Sequence, residues 1–113
     1  MRKEFKMYEL NETAKFNYGI RKDCKAFAYY LEPDNIAVNQ VSFYKKAYVI
    51  YNESLQIETL YSYGTKIISY NRDKNLLTRH WQGYSRTTMK HIKSFLAYNG
   101  IYSMNKQQWD DLY

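Results

Sequence analysis

At 113 residues, 45% hydrophobic and 25% charged, the chain has the length and composition of one folded domain, 1–113, with no room for a second. A formal charge of +6 and a pI near 9.3 point to an anionic partner. The lone Cys24 argues against a disulfide framework, and no window approaches the roughly 20 apolar residues of a membrane span.

The first 16 residues carry charge without the apolar run of a signal peptide, so the cytoplasm is the expected location. They fit neither a helical nor an alternating period, and Asn11, Glu12 and Thr13 suit a helix cap or a turn equally. Over residues 19–34 the spacing of Ile20, Cys24, Phe27 and Leu31 predicts a helix, ended by Glu32, Pro33 and Asp34. Residues 35–40 read as a connection.

From Val41 the period changes. VSFYKKAYVIY is rich in β-branched and aromatic residues and stops at Asn52, Glu53 and Ser54, a turn. LQIETLYSY follows as a strand with Leu55, Ile57, Thr59, Tyr61 and Tyr63 on one face, and Gly64 marks a bend, bulge or hairpin. TKIISY and NLLTRHWQ are joined by the polar loop NRDKN. Connections this short suit an antiparallel meander of about four strands.

The last long element is a helix. Ser85 or Thr87 can cap its start, Met89, Ile92, Phe95 and Leu96 form its apolar stripe, and Asn99–Gly100 with Ile101 ends it. Arg86, Lys90 and Lys93 share the opposite arc. Trp109, Leu112 and Tyr113 are expected to dock on the domain, because a bare apolar tail invites aggregation. The fold expected is α+β: an N-terminal helix, the four-stranded meander, and the C-terminal helix on one sheet face.

Charge is concentrated in one half. Residues 59–109 hold 8 basic side chains and a single acid, Asp73. Arg72 and Lys74 in the hairpin loop, Arg79 on the strand, and Arg86, Lys90 and Lys93 on the helix are the candidate contacts for nucleic acid or another partner. Tyr61, Tyr63 and Trp81 are candidate stacking or interface groups. If about 5 cations met phosphates, log K would fall with log salt at a slope near −4.5 on duplex DNA. A solvated lysine face is the plain alternative.

Catalysis is not expected. His80 and His91 are the two histidines, and an acid–base cluster with Tyr84 or Ser85 would need them to converge, without a nearby carboxylate other than Asp73. One cysteine and two histidines match no zinc spacing, and Gly64 and Gly83 are isolated, so no metal, cofactor or phosphate loop is expected.

The runs SFYKKAYVIY, LYSYGTKIISY and WQGYSRTTMKHIKSFL resemble a family of small uncharacterised proteins carried by phages, plasmids and conjugative elements of Gram-positive bacteria. The matching positions are Ser42, Phe43, Tyr44, Tyr61, Ser62, Tyr63, Thr65, Tyr84, Ser85, Thr87, Thr88, His91, Phe95 and Leu96, within residues 41–97. The resemblance implies a mobile-element origin and no known activity. Such proteins are often regulators or inhibitors of host defence, anti-CRISPR proteins among them.

Two readings stay open. One is a non-enzymatic accessory protein that binds nucleic acid or a nucleoprotein complex through a basic, tyrosine-rich surface. The other is a protein inhibitor of a host defence nuclease, in which Tyr, Trp and Arg anchor the interface. Self-association into a homodimer through exposed tyrosines and the WDDLY segment is a third arrangement this composition allows.

Overall fold

A computed structural model describes residues 6–31, 46–101 and 104–112. Among them the chain forms β1 (Tyr8–Glu9), α1 (Glu12–Asn17), β2 (Ala26–Tyr30), β3 (Ala47–Asn52), β4 (Ile57–Ser62), β5 (Thr65–Asn71), β6 (Leu76–Arg79), α2 (Arg86–Tyr98) and α3 (Lys106–Asp111). The six strands make one antiparallel sheet in sequence order. The α+β class and the meander agree with the sequence pattern. The strand number does not: four were expected.

The difference lies in the N-terminal third. Residues 26–30 were expected inside a helix and are instead β2, paired along its length with β3. Phe27, Tyr29 and Leu31 alternate onto the covered face, and Tyr29 and Leu31 are almost fully buried. That period-2 pattern won over the helical spacing because each strand residue gains a cross-strand neighbour. The helix of this region is the single turn and a half at Glu12–Asn17, capped by Asn11, whose side chain accepts from the Ala14 amide at 2.9 Å. The expected connection at 35–40, the start of the strand at Val41, the helix end at Pro33 and the docking of Tyr113 fall outside the described residues.

The hairpins form where turn chemistry placed them. Tyr63 and Gly64 join β4 to β5 with φ of 51° and 79°, the paired positive angles of a tight hairpin turn. Asn52 and Asn71 each open a longer turn by accepting a backbone N–H, from Leu55 at 3.1 Å and Lys74 at 3.0 Å. A register shift between Leu60 and Tyr61 inserts an extra residue in β5, so Ile67 and Ile68 are both buried.

One face of the sheet is covered by α2. Met89, Ile92, Phe95 and Leu96 enter a core with Val49, Leu60, Ile67 and Ile68, each fully buried side chain contributing about 1.5–3 kcal/mol. Ser85 caps α2 by accepting from the Thr88 amide at 3.0 Å. At its other end Gly100 takes φ 72° and Ile101 N donates to Leu96 at 2.8 Å. Trp109 of α3 is wholly buried, as the docking expectation required.

Candidate functional site

The nine side chains singled out from the sequence divide into three sets. Arg86, Lys90 and Lys93 lie on the exposed stripe of α2, a helix without an acidic residue. Among the described residues none of the three has a carboxylate in ion-pair reach. Lys74 is exposed at the β5–β6 turn, and Tyr63 projects from the β4–β5 turn. These five face solvent.

Arg79 does not. It is only 8% exposed, and its guanidinium donates to three backbone carbonyls: Nε to Trp81 at 2.7 Å, Nη1 to Trp109 at 2.7 Å and Nη2 to Gly83 at 3.3 Å. Its guanidinium carbon also sits 4.0 Å from the Trp109 ring centroid. A guanidinium spent this way is a clasp holding α3 to the end of β6, and it corrects the expectation of a surface contact. Trp81 is likewise half-buried, its ring 6.5 Å from that of Trp109. Arg72 is intermediate, lying 3.7 Å from a Glu58 carboxylate oxygen and 5.5 Å over the Tyr51 ring.

The two histidines lie on opposite sides of the sheet and form no common cluster. His91 is buried on the sheet-facing side of α2, with Nδ1 2.8 Å from Ser62 Oγ. His80 stands on the other face, beyond the end of β6.

That other face holds a site that sequence reasoning did not assemble. Tyr48 and Tyr61, paired across β3 and β4, stack with centroids 5.2 Å apart and planes 5° from parallel. Tyr18, just after α1, meets Tyr61 edge-on at 5.2 Å and donates its hydroxyl proton to Tyr48 at 3.3 Å. Burial first, and the neighbouring phenols of Tyr18, Tyr61 and Tyr30, hold the Tyr48 hydroxyl far above its ordinary pKa, and burial raises that of Tyr61. Both are neutral, apolar-faced rings at any physiological pH.

Beside the rings runs a polar chain. Thr59 Oγ1 and Ser69 Oγ, cross-strand partners, are 2.8 Å apart, and Ser69 Oγ lies 2.7 Å from His80 Nε2. Burial, aided by the Lys66 ammonium, pushes the His80 imidazole below its usual value, so it is neutral near pH 7. These groups line a groove of about 350 Å³, walled by Tyr18, Ile20 and Ile57 and rimmed by Lys66. Alternation had already put Thr59 and Tyr61 on one face. The cross-strand register that adds Ser69, Lys66 and His80 has no local signal.

Among the described residues no helix is long and apolar enough to cross a membrane, and no group of His, Cys, Asp and Glu converges to hold a metal ion. Neither a curated protein nor a solved structure matches the chain. Residues 32–111 match the model of a family described as "Family of unknown function (DUF8033)", and because that match covers well over half of the sequence, the chain belongs to this family.

Proposed function

We propose that the protein works by binding a polyanion, nucleic acid foremost, through the outer stripe of α2. The observation that carries this reading is the set Arg86, Lys90 and Lys93: three neighbouring, exposed cations on a helix without acids, none neutralised by an ion pair among the described residues. Like charges one turn apart destabilise a helix by about 0.2–0.5 kcal/mol per pair. A phosphate backbone relieves that repulsion while releasing its own counterions. Lys74, on the β5–β6 turn, is a further contact for a long strand, whereas Arg79 is withdrawn from the set by its three carbonyl partners.

Binding to labelled duplex DNA and to single-stranded RNA, followed by fluorescence anisotropy across a salt series, tests this. With three phosphate contacts the slope of log K against log salt is about −2.7 on duplex, a loss near fortyfold between about 50 and 200 mM salt. The triple variant R86A/K90A/K93A should bind neither probe while unfolding at a urea concentration no lower than the parent's. No binding at about 50 mM salt would overturn the reading. If the chain then co-purified with a nuclease effector after nucleic acid had been digested, the inhibitor reading would take its place.

A further inference from the structure

The groove on the open face is chemically unlike the α2 stripe, and its lining is donor-rich. Its residues include one lysine and one histidine and no carboxylate. Asn52 and Asn71 both line it, and both spend their side-chain oxygen on a turn amide. Their NH₂ groups are therefore left to donate, and neither has a partner among the described residues. Asn52 is about nine-tenths buried, and a bound acceptor can take the place of water at its NH₂ group.

The polar chain adds a direction. In the tautomer whose Nε2 accepts from Ser69, Ser69 is left to accept from Thr59, and the imidazole proton is on Nδ1 as one more donor. Lys66 is the cross-strand partner of Tyr61 on this face, so an anion held by its ammonium lies next to the ring. Tyr61 is stacked on Tyr48 and met edge-on by Tyr18, and with Tyr18 it lines the groove. A volume of about 350 Å³ is at the small end of ligand pockets.

We propose that this groove is a binding site for a mononucleotide, its base stacked on Tyr61 beside the apolar side chains of Ile20 and Ile57, its phosphate met by Lys66 and the Asn and His donors. Charge complementarity commits the occupant: a cation and several unspent donors without an acid favour an anion rich in acceptors, and the flat ring wall favours a planar group attached to it. The site does not depend on the α2 stripe and can stand or fall alone.

The test is a titration of the ¹⁵N-labelled full chain with adenosine and uridine 5′-monophosphates, and separately with adenosine and with inorganic phosphate. Saturable shifts are expected at Thr59, Lys66, Ser69 and His80 with the monophosphates, together with a rise of the His80 titration midpoint. Lys66→Ala, an exposed change that leaves the core alone, should weaken binding about tenfold. R86A/K90A/K93A should not change it, whereas that variant abolishes polyanion binding. Absence of saturation up to about 10 mM monophosphate would overturn the proposal. So would equal affinity for adenosine, which removes the role of the anion, or for phosphate, which removes that of the ring. Shifts produced by an oligonucleotide but by neither monophosphate count against it as well.

Discussion

The two faces of the sheet treat polar groups in opposite ways. Under α2 they are closed on each other: the Tyr29 hydroxyl donates to the buried Glu58 carboxylate, Ser62 meets His91, and the Arg79 guanidinium is spent on three carbonyls. On the open face they form a chain, Thr59 to Ser69 to His80, with donors to spare at Asn52, Asn71 and Lys66. A buried polar group without water must find a protein partner, so the covered face uses its polar residues for structure. The open face has water as an alternative partner and can exchange it for a ligand.

If this contrast holds, the largest loss of stability comes from the covered side. Arg79→Ala removes three charge-assisted bonds and the guanidinium over Trp109, leaving the Gly83 carbonyl to Trp109 Nε1 alone and the Trp109 carbonyl to the Leu112 amide alone. A loss of about 3–5 kcal/mol is expected in urea unfolding. Arg79→Lys should recover less than half of it, because an ammonium cannot reach three acceptors in a plane. A loss below about 1 kcal/mol would mean that the clasp is ornamental and that Arg79 is available to a partner after all.

Tyr29→Phe ranks second. The ring volume stays, but the Glu58 carboxylate loses the hydroxyl that donates to it in a site only 1% exposed. The cost should be about 1–3 kcal/mol, read from the same unfolding curves. Ser69→Ala is the matched change on the other face and should cost less than about 1 kcal/mol, since His80 and Thr59 are accessible to water. Equal losses for the two variants would erase the distinction between the faces.

This asymmetry also explains which parts of the molecule were legible in the sequence. The C-terminal half is built from local signals: alternation over residues 57–62 (Leu55 and Tyr63, expected at the ends of that strand, lie in the flanking turns), the Tyr63–Gly64 turn, the Ser85 cap, the four-residue apolar stripe of α2 and the Gly100 end. Each is set by residues within a few positions of one another. β2 was misread because Ile20, Cys24, Phe27 and Leu31 match a helical period by spacing, while the partner that makes 26–30 a strand is β3, 18 to 26 positions on. Arg79 was misassigned for a related reason. A strand arginine looks exposed until α3 brings a carbonyl thirty residues away to its Nη1. The groove was half visible, in that Thr59 and Tyr61 fell on one face, but Ser69 and His80 join them only through strand register and the bulge at Leu60 and Tyr61.

The smallest expected effect, and the most direct probe of the open face, is the titration of His80. Burial first, and the Lys66 ammonium second, lower its pKa in the folded chain below the ordinary 6.5. The unfolded chain therefore takes up its proton first as the pH falls. The stability that His80 contributes is complete above about pH 6.5, declines as the pH drops through the folded-state pKa, and changes no further below it. The imidazole signal in a proton spectrum should accordingly show a midpoint below 6.5 in the ligand-free protein. In Lys66→Ala the midpoint should move up only part of the way, because the first and larger cause is burial, which that change leaves in place. A midpoint above 6.5 in the free protein would require a negative charge beside the ring. No residue lining the groove supplies one, so that result would show either an anion already held there or a different arrangement of this face.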